Sequence, residues 1–185
     1  PNEPLYPPPT SSGVWNDSVS VTIDCYLDQG IPAEKMSVGI AYYGHLWYAP
    51  GLAASQDEWC KFGIKTQVQG KCCGPFAQTY GTECGKYSGL CGTYMYSEIQ
   101  AAGFETCFDN TTNSAIGYMV SPKDGYTAEG VWISYQDNKT VAAIVDYGKG
   151  KGLGGAFAFD ISMDSQQWGN FNFELTHEIA NLLQD

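Results

Sequence analysis

Positive charge is scarce in this sequence. Nine Lys and Arg residues face twenty Asp and Glu, a net charge of -11, which disfavours nucleic acid or an anionic membrane surface as a partner and favours a neutral ligand. Histidine is scarcer still, at two residues, and the cysteines are unevenly spaced. That combination argues against zinc, and no metal or other cofactor is expected. No apolar run approaches the roughly 20 residues of a membrane span. Nor does a leader pattern stand at Pro1, as expected of a mature, processed or excised product. Internal repeats are lacking, and no low-complexity linker follows the proline-rich start.

Cysteine, by contrast, is plentiful at seven. Cys60, Cys72, Cys73, Cys84, Cys91 and Cys107 are the disulfide candidates, with their pairing left open, and point to an oxidising compartment. Cys25 is left over and reads as a buried free thiol. Asn16, Asn110 and Asn138 each open an N-x-S/T triplet and are the glycosylation candidates. Together these features predict a secreted, extracellular protein. Thirteen Tyr and five Trp supply many rings with one polar edge, which suit a ligand that is wet on one side and apolar on the other, as a pyranose is.

Along the chain, prolines at 1, 4, 7, 8 and 9 make the start an extended loop. Asp17 or Ser18 can cap the next segment, where Val19, Ile23, Tyr26 and Leu27 share a helical face before Gly30. Met36 to Trp47 then alternates as a strand, with Met36, Val38, Ile40 and Tyr42 on the large face and Ser37, Gly39 and Ala41 on the small one, until Tyr43 appears at its carboxyl end. From residue 49 to 129 glycine, cysteine and short strand-like pieces predominate, with a helix only around Tyr96 to Ala102. A connection that long reads as an inserted domain. Val131 to Tyr135 is extended, and Asp137 or Asn138 caps a helix that buries Val141, Ile144 and Val145 and ends at Gly148, Gly150 and Gly152. The run AFAFDI follows as a buried strand. Leu175, Ile179, Leu182 and Leu183 form the face of a last helix.

The ordered series W-x-S-Y-x-D, amphipathic helix, K-G-L-G-G, apolar strand and x-S-x-D resembles the end of family-18 glycoside hydrolases, the chitinase family. K-M-S-V-G-I-A-Y-Y-G-H-L-W resembles that family's seventh barrel strand, N-E-P-L-Y-P the loop after the sixth, and C-G-T-Y-M-Y-S-E-I a segment of its small α+β insertion. The resemblance implies an α/β fold: the C-terminal part of a (β/α)8 TIM barrel, strands 7 and 8 with their helices, over 1-48 and 130-185, carrying a disulfide-rich α+β insertion domain over 49-129. A whole barrel takes about 250 residues, more than the 185 present. Six missing strands would leave open edges, so a second polypeptide supplying the rest of the barrel is expected.

Family-18 enzymes carry their general acid in D-x-x-D-x-D-x-E, with the substrate's acetamide as nucleophile. That motif is absent, so no catalytic residue is expected here. The pairs Asp24 and Asp28, Asp160 and Asp164, and Glu174 and Glu178 read as capping or solvated acids. By resemblance, sugar contact falls to Tyr43 at the barrel mouth, His45 in place of the usual Arg, Glu98 of the insertion, and Phe159 where most relatives have Trp. Trp47 and Trp132 are further candidates, with core packing the alternative.

The expected function is thus the substrate-binding part of a secreted chitinase acting on β-1,4-linked N-acetylglucosamine polymers, inactive alone. The alternative is a non-catalytic chitinase-like lectin that binds chitin oligosaccharides. A structural surface protein that keeps only the insertion fold is a third reading.

Overall fold

The computed structural model describes residues 2–9, 17–48, 60, 93–119, 131–167 and 170–184. Helix α1 (Val19–Asp28) starts where the Ser18 hydroxyl accepts the Val21 N–H at 3.2 Å. It stops at Gly30, whose φ of 82° suits a residue without Cβ. Ile23 is buried and Val19 and Leu27 pack against the core, but Tyr26, expected on that face, is half exposed. Cys25 is free and exposed rather than buried, because it stands two residues from Ile23 on the opposite side of the helix.

Strand β1 (Ser37–Ala41) pairs in parallel with a strand near the end of the chain. The sequence predicts one continuous strand to Trp47, whereas the structure breaks it at Tyr42 and places β2 (Tyr43–Tyr48) in a second, antiparallel sheet. Tyr42 is where the chain changes partners. Its N–H donates to the Phe159 carbonyl at 3.0 Å, the last bond to the parallel partner, and its carbonyl accepts the Tyr96 N–H at 2.9 Å, the first bond on the antiparallel side.

The second sheet also holds β3 (Thr93–Met95), β4 (Glu105–Asp109), β5 (Ser114–Met119) and β6 (Val131–Tyr135), in the order β3-β2-β6-β5-β4. Helix α2 (Tyr96–Ala102) leaves β3 directly and ends at Gly103 in the left-handed conformation. All six residues of β5 are buried, so both faces of the sheet's middle are covered. Close approach there requires Gly117: a Cβ would stand 2.7 Å from Ile133. A disulfide joins Cys60 to Cys107 on β4, with Cα atoms 6.0 Å apart. The candidates Cys72, Cys73, Cys84 and Cys91 lie outside the described residues.

Helix α3 (Asn138–Gly150) opens with a reciprocal cap. The Asp137 carboxylate accepts the Thr140 N–H at 2.8 Å, and the Asp137 N–H donates to the Thr140 hydroxyl at 2.6 Å. Its periodic face, Val141, Ile144 and Val145, is buried against the sheet side that includes Val38 and Ile40. Gly152 turns the chain at φ 72° into β7 (Gly155–Phe159), paired residue for residue with β1 from Ser37–Gly155 to Ala41–Phe159. This strand is not buried as predicted. Phe157 and Phe159 are 54% and 60% exposed, because among the described residues no layer covers that face.

The short strands β8 (Gln166–Gln167) and β9 (Asn170–Phe171) lead to α4 (Glu174–Leu182). Its own cap position, Phe173, supplies no side-chain bond, and the buried Asp164 carboxylate substitutes by accepting the N–H groups of Leu175 and Thr176 and the Thr176 hydroxyl. Leu175 and Ile179 are buried; Leu183 lies beyond the helix and is exposed.

Candidate functional site

The break at Tyr42 creates the site. Its fully buried side chain reaches Thr176 Oγ1 at 3.1 Å, so the residue is fixed by backbone and hydroxyl alike. The next residue therefore emerges on the other side, where the two sheets meet. Tyr43 is half-buried, and Asn2 donates from Nδ2 to its carbonyl at 3.1 Å. The Tyr43 ring stands edge-on to Phe159 at 6.4 Å between centroids and to His45 at 5.4 Å.

Three rings from two sheets thus form one shelf. Phe159 arrives at the carboxyl end of β7 beside Ala41, and His45 follows Tyr43 on the same face of β2. His45 Nδ1 lies 3.4 Å from Thr93 Oγ1 on the paired strand. Such a shelf offers apolar ring surface together with a phenol and an imidazole as hydrogen-bonding groups, the mixture that a sugar ring requires. Burial, and secondarily the charge of Glu3, raises the Tyr43 phenol above its ordinary value, so it stays protonated and able to donate at neutral pH.

Glu3 was not foreseen at this place. It lies forty residues before Tyr43, and its own carboxyl is raised by crowding against protein even though the residue as a whole is exposed. No local pattern announces such a neighbour. The loop that carries it is held by the Asn2 N–H donating to Ser134 Oγ at 2.7 Å.

The other predicted positions divide. Glu98 lies near the start of α2, one strand from His45, and accepts the Met95 N–H at 2.9 Å as the helix's capping carboxylate. Trp47 belongs to β2, and its side chain lies outside what is described. Trp132 is 2% exposed and belongs to the interior. Of the acids read as caps or solvated groups, Asp160 and Asp164 cap, Asp24 forms a surface ion pair, and Glu174 instead ties side chains together. Asp160 accepts the Ser162 N–H, Asp164 caps α4, Glu174 accepts amide protons from Gln100 and Asn138, and Asp24 pairs with Lys151 at 2.7 Å. Among the described residues no group of three His, Cys, Asp or Glu converges on a metal position.

A separate groove of about 620 Å³ follows the edge of β1 that pairs with no strand among the described residues, between Glu3, Pro4, Ile23, Tyr26 and Gly39. It does not include the three rings.

The family model for glycosyl hydrolases family 18 matches residues 1–164. Chitinase-like protein Idgf2 of Drosophila melanogaster is 26% identical over 174 residues, covering 87% of this chain and 37% of that protein. Idgf1 of the same species is 30% identical over 156 residues, 80% of this chain and 34% of that one. The chain therefore spans about a third of the length of the curated relatives it matches. Human YKL-39, a pseudo-chitinase with retained chitooligosaccharide binding, shares the fold at a TM-score of 0.71 and 20% identity, over 100% of this chain and 45% of its own. A family-18 chitinase of Cycas revoluta in complex with (GlcNAc)4 matches at a TM-score of 0.65 and 26% identity, over 98% of this chain and 43% of its own.

Proposed function

Because this chain belongs to glycosyl hydrolase family 18, we propose that it forms one wall of a cleft for chitin oligosaccharides and holds them without supplying an acid to cut them. The carrying observation is the shelf of Tyr43, His45 and Phe159 at the junction of the two sheets. A sugar ring laid on it would meet apolar ring surface, with the Tyr43 hydroxyl and the imidazole within reach of its hydroxyl groups. Trp47 and Glu98 border the same wall in this reading.

On this view β1 and β7 are the seventh and eighth strands of the family barrel, α4 is its closing helix, and the antiparallel sheet is the insertion domain with its centre in 49–129. Secretion is part of the reading, supported by the Cys60–Cys107 disulfide. The expectation of a second polypeptide rests on the open edges of β1 and β7 alone and gains no support from the relatives.

The chitinase-like names of the Idgf relatives and the retained chitooligosaccharide binding of the pseudo-chitinase YKL-39 support the binding reading. The second reading, the sugar-binding part of an active chitinase, is favoured by the likeness to the Cycas revoluta enzyme. Calorimetric titration of the protein at its full natural length with (GlcNAc)4 tests the proposal. Binding is expected, with Tyr43→Ala and Phe159→Ala each weakening it about fivefold to tenfold, the loss of one ring contact. Absence of any heat or of any effect of either substitution sinks the sugar shelf. Release of new reducing ends from the same samples would instead establish the enzymatic reading.

A further inference from the structure

Two of the three N-x-S/T triplets fall among the described residues, and their surroundings differ. Asn110 lies in the turn between β4 and β5, exposed, with its side-chain amide engaged by none of the described residues. The turn is fixed beneath it. Asp109 accepts the Thr111 N–H at 2.9 Å and the Thr112 hydroxyl at 2.7 Å, and the Thr112 carbonyl accepts the Tyr6 N–H at 3.1 Å. Asn138, by contrast, is the first residue of α3. Its Nδ2 donates to Glu174 Oε1 at 2.7 Å, and its Oδ1 is buried without a partner.

In both triplets the threonine that a glycosylating enzyme must reach, Thr112 or Thr140, is 0% exposed. Modification at either place has to precede folding. What separates them is whether the finished fold can accept the sugar, and only the Asn110 turn leaves it in solvent. At Asn138 the sugar would be driven between the starts of α3 and α4, where the Asn138–Glu174 bond now closes the contact.

We infer that Asn110 carries an N-linked glycan and that Asn138 does not. The step joins Asn110 Nδ2 to the anomeric carbon of an oligosaccharide donated from a lipid diphosphate. The bond from that carbon to the diphosphate oxygen breaks, the lipid diphosphate leaves with the bonding pair, and Nδ2 gives up one proton. The inference does not rest on sugar binding in the cleft, since it uses none of the three rings.

Expression of the full-length natural protein through the secretory pathway of insect cells tests it. Enzymatic deglycosylation in heavy-oxygen water converts each glycosylated Asn to an isotopically marked Asp, which peptide mass spectrometry locates. A mark at 110 and none at 138 is expected in the secreted, folded material. Asn110→Gln should abolish the mass loss attributable to that site and leave the thermal midpoint unchanged. Asn138→Gln should leave the glycan count unchanged and lower the midpoint. A mark at 138 in folded protein, or an unmarked Asn110 in either the secreted or the retained pool, overturns the inference.

Discussion

The antiparallel sheet and the parallel pair solve the problem of burial differently. In the sheet, β6 lies between β2 and β5 with both of its edges hydrogen-bonded, and its residues Trp132 to Tyr135 are buried in succession. In the pair, only one face is filled by the described residues. Val38 and Ile40 meet α3, while Phe157 and Phe159 on the other face stand open. On the proposed reading, the difference indicates where binding surface would come from. A strand whose two faces are both committed to the core has no rings to offer a ligand. One with a spare face can present them on a rigid backbone, as β7 does with Phe159.

The comparison can be broken most directly by truncating one side chain of each kind. Ile133→Ala in the sheet removes a side chain with no exposure and should cost about 2–5 kcal/mol. Phe157→Ala in the pair should change stability by no more than about 0.5 kcal/mol. Denaturant unfolding of both variants checks this, and equal losses would mean that the open face is packed in solution.

A second test is alkaline. Tyr96 and Tyr135, both on the sheet side, are raised well above the usual tyrosine value, chiefly by burial and further by nearby acids. The folded protein therefore keeps phenolic protons that the unfolded chain releases near about pH 10. Their contribution is fully present below that pH and is lost as pH rises beyond it. The thermal midpoint should hold level and then fall, with exchange protection lost first in β2 and β6. Tyrosinate absorbance from all the tyrosines at the ordinary pH, without unfolding, would contradict the assignment.

The smallest effect belongs to the tie between α1 and α3, where Lys151 and Tyr147 both donate to Asp24. The ammonium holds the Asp24 carboxyl below its usual value, so this tie is present above the unfolded carboxylate range and fades as pH drops through the lowered one. With both partners in solvent, Asp24→Asn should barely move the midpoint, and high salt should erase the difference. A large, salt-insensitive loss would mean that α1 depends on the pair.

Much of the pair and its helices was legible because local chemistry fixes it. Asp137 and the spacing of Val141, Ile144 and Val145 specify α3, and Gly152 places the turn after it. The segment Tyr96–Ala102 was likewise readable as a helix. The break at Tyr42 was not, since MSVGIAYYGHLW contains no proline to end a strand and the partners on either side of Tyr42, Phe159 and Tyr96, lie far along the chain. Hydrophobicity also could not tell a filled face from an open one, so AFAF read as buried. At the candidate site Tyr43, His45 and Phe159 were named from sequence and stand together, whereas Glu3 reaches them only through the fold.

One hydrogen bond at the junction bears on how such a molecule can vary. The Ala41 N–H donates to Gln136 Oε1 at 2.9 Å across ninety-five positions of sequence, just where the chain departs into the antiparallel sheet and where it comes back. Departure and return are therefore neighbours, clasped together whatever is threaded between them. Doubling the length of such a tethered excursion costs only about 0.6 kcal/mol in closure entropy. The clasp lets the far part of the excursion vary: descendants of this chain could lengthen or trim it beyond β2 while Tyr43 and Phe159 keep their mutual distance.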